Sequence, residues 1–154
     1  MTPESLTPLA GEFWIDAGVA ILCGALFGID RVLRGKQIGL IVCILVVYGT
    51  NLFIVMGSVL TPDNTGTARV LGQVVTGVGF LGAGVMIAQE GRVKGVNTGA
   101  SIWALAAVGA LVGTGYYLAA IATTLLMLGV IFASESISPK LEKLRRTNTT
   151  DELK

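Results

Sequence analysis

IGLIVCILVVYGTNLFIVMGSVLT (residues 38–61) contains no Asp, Glu, Lys or Arg. About 20 consecutive apolar residues are enough for one α-helix to cross the hydrocarbon core of a bilayer. Two further runs, residues 70–89 and 95–134, also lack all four residue types, and the segment GTGYY at 113–117 interrupts the second. Only 14% of the 154 residues are charged, whereas a soluble domain carries about a quarter. The composition indicates a polytopic membrane protein, and the length is typical of one domain.

The breaks between these runs predict an all-α bundle of five transmembrane helices, at about residues 13–30, 38–60, 69–89, 96–112 and 117–134. The first helix begins with EFWIDAG and no small-residue cleavage site follows it, so we interpret it as a retained span and not a signal peptide. Residues 1–134 form the predicted transmembrane domain. Residues 135–154 are predicted to be a basic cytoplasmic tail without an appended soluble regulatory domain. Its segment KLEKLRR is typical of an amphipathic helix lying on anionic lipid.

Basic residues lie almost entirely on one side of this predicted bundle. Of the eleven Lys and Arg residues, ten fall in the loop after helix one, the loop after helix three, and the tail. Arg69 alone falls on the other side. Because short cytoplasmic loops accumulate Lys and Arg, the pattern predicts that the N-terminus is outside and the C-terminus is in the cytoplasm.

A glycine-rich run, VVTGVGFLGAG (residues 74–84), matches the spacing of the dinucleotide-binding fingerprint. That fingerprint follows a strand, opens a helix and is followed about 20 residues later by an acidic residue, but Gly99 occupies that place here. We therefore interpret the glycines as contacts that let neighbouring helices approach closely in lipid, with helix three central in the bundle. The predicted packing glycines are Gly24 and Gly28 in helix one, and Gly72, Gly77, Gly79, Gly82 and Gly84 in helix three.

The histidine and cysteine content of the sequence excludes several kinds of catalytic and metal-binding site. The sequence has no histidine, which removes histidine-based metal sites, Ser-His catalysis and histidine proton relays. Cys23 and Cys43 lie inside predicted spans, where they are expected to be buried apolar residues and not a disulfide. We expect no enzymatic activity, no cofactor, no metal and no nucleic-acid partner.

Two segments resemble the MgtC/SapB family of bacterial inner-membrane proteins. They are GALFGIDRVLRGKQIGL (24–40) and ARVLGQVVTGVGFLGAGVMIAQEGRVKGVNTGASIWALAAVGALVGTGYYLAA (68–120). The sequence departs from the family pattern at Ile41 and Val42, where members commonly have Arg and Thr, and at Ala104, where some have Cys. The positions that match the family's polar pattern, which we treat as a candidate partner or ligand pocket, are Asp30, Arg31, Arg69, Gln73, Asn97, Thr98, Ser101 and Trp103.

The resemblance implies a multi-pass protein of the bacterial inner membrane that regulates partner proteins. The family is linked to growth under low magnesium and to survival inside host cells, and the implied partner is the ATP synthase. A homodimer through a glycine-lined face is also expected. The alternative is a transporter or channel for magnesium or another small solute.

The polar residues leave several alternatives open. Asp30 and Arg31 either extend to the lipid headgroups, or Asp30 faces the bundle and pairs with a basic residue such as Arg92. Asn97 is either the N-cap of helix four or a ligand-binding residue. For Gln73 we favour a structural bond between helices, because an unpaired amide is costly within hydrocarbon.

The hydroxyl groups of Thr98 and Ser101 share one helix face, and they can bond to preceding carbonyls or to helix three. A pocket formed by this helix N-terminus and the glycine run would favour anions. Trp103 is expected to pack inside the bundle. Asp16 and Asp63 could line an outer vestibule, but no second acidic residue inside a span supports a conduction path for the transport alternative.

Overall fold

A computed structural model describes residues 6–36, 38–61, 65–89 and 92–151. Five helices account for most of these residues: α1 (Gly11–Leu33), α2 (Leu40–Leu60), α3 (Thr65–Gly84), α4 (Val96–Gly113) and α5 (Tyr117–Asp151). The predicted helical class and the number of helices are therefore confirmed. By length and composition, α1, α2, α4 and residues 117–134 of α5 are able to cross a membrane.

Helix α3 is not among those four candidate spans. Its sequence contains Arg69, Gln73, three threonines and six glycines, all of which lower its mean hydropathy. It also ends at Gly84, five residues before the predicted end. The chain then forms a short antiparallel hairpin of β1 (Ile87–Gln89) and β2 (Arg92–Lys94), in which Ile87 pairs with Lys94. The sequence analysis did not predict this hairpin.

Helix α4 begins immediately after the hairpin. Its N-cap is Gly95, whose φ of 89° lies in the left-handed region that favours glycine. Asn97 is inside the first turn, so the interpretation of Asn97 as the N-cap is not what the structure shows. The tight turn at Gly95 lets α4 return directly toward α3, which places Gly99 against Gly82.

Helix α2 is the central helix of the bundle, because it packs against α1, α3 and α4. The expectation that α3 is central is therefore wrong. The reason is that α2 is the most apolar of the candidate spans and presents buried side chains to three neighbours. The largest fully buried residues come mainly from α1, α2 and α4; they include Phe27, Cys23, Cys43, Val47, Asn51, Ile54, Leu105, Val108 and Val112. Cys23 and Cys43 are both free thiols, as expected.

Glycines of α1 and α4 allow close contact with α2. A methyl group at Gly24 would lie 2.6 Å from the Cα atom of Ile44, and one at Gly28 would lie 2.9 Å from the Cα atom of Leu40. On α4, Gly109 lies against the backbone of Val47 in the same way. Backbones this close gain van der Waals contact along the whole crossing, so these glycines fix how α1 and α4 pack on α2.

The chain divides into two compact units, Met1–Thr124 and Leu125–Lys154. The first contains α1 to α4, the hairpin and the beginning of α5. The second contains the rest of α5, which continues to Asp151 and so passes the predicted helix end at residue 134. The side chains of the predicted basic tail lie outside the described part of the chain.

Candidate functional site

A groove with a volume of about 740 Å³ opens between α2 and α3. Volumes of about 300–1,000 Å³ are usual for ligand pockets. We call it the α2–α3 groove. Its lining residues are Val42, Leu45, Val46, Gly49, Thr50 and Phe53 from α2, and Arg69, Val70, Gln73, Val74, Gly77, Val78 and Leu81 from α3.

Two of the sequence-predicted site residues, Arg69 and Gln73, lie in this groove. Both are exposed, and the structure gives neither a hydrogen-bond partner among the described residues. The interhelical bond favoured for Gln73 is therefore not formed with any residue that the structure describes. The contact of Gly57 with Val70 places this part of α3 beside the C-terminal end of α2. A guanidinium and an amide thus stand at one end of an otherwise apolar groove.

The remaining glycine surface of α3 is open. Among the predicted packing glycines of α3, only Gly82 has a close neighbour, with the carbonyl oxygen of Gly99 3.2 Å from where its Cβ would be. At Gly72, Gly77, Gly79 and Gly84 no described atom lies within 4 Å of that position. Helix α3 therefore uses one glycine to pack against α4 and presents the others outward.

The predicted polar residues at the start of α4 separate onto two faces. Thr98 and Ser101 are buried, at 7% and 8% exposure, and the Ser101 hydroxyl donates to the backbone oxygen of Asn97 at 2.7 Å. Asn97 and Trp103 lie on the exposed face. The expectation that Trp103 packs inside the bundle is wrong, since half of its surface is exposed.

Gln73 is also distant from the polar residues of α4. Gly82 is the glycine of α3 that lies against Gly99 of α4, and it is nine residues from Gln73, which corresponds to about 13 Å along the axis. The structure therefore does not combine Gln73 with Asn97, Thr98 and Ser101 in one pocket. Arg69 and Gln73 belong to the α2–α3 groove, and the residues of α4 lie toward the other end of the bundle.

Asp30 and Arg31 lie at the C-terminal end of α1 and have different surroundings. The Arg34 Nε donates to Asp30 Oδ1 at 2.6 Å. The alternative partner, Arg92, has a side chain outside the described set. Arg31 is 3% exposed, and its guanidinium carbon is 5.8 Å from the centre of the Phe27 ring. Arg31 is thus held inside the protein.

Sequence reasoning missed one polar contact, between α1 and α5. The hydroxyl of Tyr117 donates to Asp16 Oδ1 at 2.6 Å, and Asp16 is 4% exposed. The sequence suggested Asp16 as a residue of an outer vestibule; the second vestibule residue, Asp63, lies outside the described residues. A carboxyl group within a predicted span needs a donor, and this requirement is the signal that could have led to Tyr117.

Comparisons with known proteins agree with the residue pattern. The model of the MgtC family matches residues 18–139. Protein MgtC of Salmonella typhimurium is 40% identical over 109 residues, covering 71% of this chain and 46% of that protein. Protein MgtC of Brucella abortus is 40% identical over 123 residues, covering 80% of this chain and 51% of that protein.

The chain therefore spans about half the length of these relatives. No solved structure matches it. The family match covers α1 through the membrane-length part of α5 and includes both the α2–α3 groove and the buried Arg31. On this evidence the chain is a membrane-type helical protein that belongs to the MgtC family.

Proposed function

We propose that this protein is a non-enzymatic, regulatory membrane protein that binds a transmembrane helix of a partner protein in the α2–α3 groove. The observation that carries the proposal is the open surface of α3. This helix is not among the four that are long and apolar enough to cross a membrane, and its Gln73 amide has no hydrogen-bond partner among the described residues. At four of its six glycines no described atom lies within 4 Å of where a Cβ would be. A second helix placed there would remove the amide from lipid and gain close contact along the glycines.

The proposed setting is the bacterial inner membrane. In this setting all five helices cross the bilayer, with the N-terminus outside and the C-terminus in the cytoplasm. Four helices are apolar enough to insert alone, and α3 would cross because α2 and α4 cover part of its surface. The eleven basic residues then fall ten to one on the cytoplasmic side.

The proposed partner is a polytopic membrane protein, with the ATP synthase as the first to test because the family resemblance implies it. A role in growth under low magnesium and in survival inside host cells follows from the same resemblance. A homodimer is the second occupant that the groove would accept. Its open glycines are self-complementary, since two copies related by a two-fold axis present the same surface to each other.

Photocrosslinking in native membranes tests the proposal. A photoreactive amino acid replaces Leu81, which lines the groove, or Leu118, which is exposed on α5. We expect a discrete crosslinked partner from position 81 and only diffuse lipid adducts from position 118. Mass spectrometry then distinguishes a subunit of the ATP synthase from a second copy of this chain.

Equal crosslinking from positions 81 and 118, or none from position 81, would refute the groove as the binding surface. The Gln73→Leu variant provides a further control. It removes the polar group of the groove and leaves the helix contacts intact, so the yield of the partner crosslink from position 81 should fall.

The burial of Asp16 is the one observation that favours the alternative of solute transport. Carboxyl groups inside membrane spans often mark ion or proton pathways. Purified protein in proteoliposomes would then carry magnesium, and Asp16→Asn would abolish the flux while Asp30→Asn would not. Absence of flux in the wild-type protein would exclude this alternative.

A further inference from the structure

The buried guanidinium of Arg31 has an unusual environment. The side chain is 3% exposed, and its Nε atom is buried without a hydrogen-bond partner. The centre of the Phe27 ring lies 5.8 Å from the guanidinium carbon. An arginine offers five N–H donors and remains charged at every physiological pH. Arg31 therefore carries a full positive charge at a place where water is largely excluded.

The N-terminus of α2 lies beside this charge. Gly28 is against Leu40, the first residue of α2, and against Cys43 one turn further on. Residues three apart on a helix share a face, so Arg31 lies on the same face of α1 as Gly28, the face that packs against the start of α2.

The first turn of α2 has no side-chain cap. Its N-cap is Gly39, which has no side chain to accept from the first amides. The N-terminal end of a helix carries about half a positive charge, and its free N–H groups bind anions. A 21-residue helix thus directs its positive end toward the region that holds the Arg31 guanidinium.

The described residues supply no anion to balance these two positive groups. The nearest carboxylate is Asp30, and its Oδ1 atom is already bound to Arg34. Adjacent residues on a helix do not face each other, which fits the finding that Asp30 Oδ2 and Arg31 Nε are both buried without partners. A buried charge is costly unless it is paired and hydrogen-bonded. An anion from outside the chain would balance the charge of Arg31 and bind its free N–H donors.

We propose that Arg31 and the first-turn amides of α2 form a binding site for a phosphate group. The planar guanidinium binds phosphate oxygens through two parallel N–H donors, and the helix N-terminus supplies further donors. The site lies at the end of α1 where Arg31, Arg34 and Lys36 occur, which is the predicted cytoplasmic surface. The phosphate would come from the headgroup of a phospholipid or from a soluble phosphate compound. The site is independent of the partner proposed for the α2–α3 groove.

Thermal unfolding of the full chain in a phosphate-free maltoside detergent tests the site. Inorganic phosphate is titrated in one arm and phosphatidylglycerol in the other. We expect a saturable rise in Tm for the wild-type protein with at least one of them. A rise with phosphatidylglycerol alone identifies a lipid headgroup, and a rise with inorganic phosphate identifies a soluble ligand.

The Arg31→Met variant should weaken this binding by about 10- to 100-fold, the loss expected for one hydrogen-bonded charge. Arg31→Lys keeps the charge without the two-pronged geometry and should weaken binding less. Lys36→Met removes the same charge from an exposed position of the same loop and should leave the affinity within twofold of wild type. An equal loss in Arg31→Met and Lys36→Met would overturn the proposal, because it would indicate non-specific attraction.

A measurement on the wild-type protein keeps the proposal testable even where the Arg31 variants fail to fold. The ligand should slow hydrogen exchange of the amides in residues 38–43 and leave those in residues 117–124 unchanged. No rise in Tm with either compound, or no protection of residues 38–43, would contradict the site.

Discussion

The Gly24→Ala substitution should destabilise the bundle by about 1–2 kcal/mol. The new methyl group would lie 2.6 Å from the Cα atom of Ile44 and 3.0 Å from the carbonyl oxygen of Cys43. Carbon atoms in good contact are about 3.5–4.0 Å apart, so α1 and α2 would have to separate locally by roughly 1 Å. The atoms in the way are backbone atoms, and they cannot move aside by a change of rotamer.

The magnitude follows from two opposing effects. Excess volume in a well-packed core costs about 1–3 kcal/mol. Alanine in place of glycine in a helix returns up to about 1 kcal/mol. The net loss of about 1–2 kcal/mol corresponds to a roughly 5- to 30-fold smaller ratio of folded to unfolded protein.

Gly18 supplies a matched control in the same helix. It is exposed, and no described atom lies within 4 Å of where its Cβ would be. Gly18→Ala should therefore leave the free energy of unfolding unchanged or raise it by up to about 1 kcal/mol. Both variants are compared by denaturant titration of the protein in detergent, followed by circular dichroism. Equal free energies of unfolding for the two variants would refute the close approach of α1 and α2.

Three further predictions concern the polar residues. Tyr117→Phe should lower the free energy of unfolding by about 1–3 kcal/mol, because Asp16 loses its donor. The control Tyr116→Phe, at an exposed position, should change this free energy by less than about 0.5 kcal/mol. The same denaturant titration measures both variants, and a similar change in both would contradict the role of the Tyr117–Asp16 bond. Gln73→Leu should leave the free energy of unfolding unchanged within about 0.5 kcal/mol, since the amide has no hydrogen-bond partner among the described residues. The same variant should reduce the yield of the crosslink from position 81. A loss of stability above about 1 kcal/mol would indicate a structural role for Gln73 instead. Asn97→Ala should likewise leave the free energy of unfolding within about 0.5 kcal/mol of the wild-type value. The reason is that the Asn97 side chain is exposed, and the Ser101 hydroxyl donates to the backbone oxygen of Asn97, which the substitution keeps. Mass spectrometry of native-membrane crosslinks then shows whether the Asn97 side chain contributes to partner binding.

The helices were predictable because their signals are local. The charge-free run of residues 38–61 predicts α2 almost to the residue, and the GTGYY segment marks the turn between α4 and α5. The hairpin at residues 87–94 was missed because it is short and its pattern does not alternate strongly. The continuation of α5 past residue 134 was missed because the end of an apolar run marks the edge of the bilayer and not the end of a helix.

The contacts between helices were harder to predict, because a sequence shows which residues share a face of one helix but not which neighbour covers that face. Gly24 and Gly28 were correctly grouped as packing residues. The same reasoning applied to α3 placed Gly72, Gly77 and Gly79 inside the bundle, where the structure leaves them open. Arg31 was misjudged for a related reason. Its position at the end of a span suggests a side chain that extends to the headgroups, and only the packing of α2 on Gly28 shows that it is enclosed.

The α3 helix connects these observations. It holds part of the sequence that matches the family, yet it is not among the four helices apolar enough to cross a membrane, and four of its six glycines have no close neighbour among the described residues. A run of glycines that served only the internal packing of the bundle would lie against α2 or α4, as Gly82 does against Gly99. Glycine also lowers helix stability by up to about 1 kcal/mol per residue relative to alanine. An outward glycine face on such a helix lowers stability within this chain without a compensating internal contact, and a second helix in the α2–α3 groove would supply that contact.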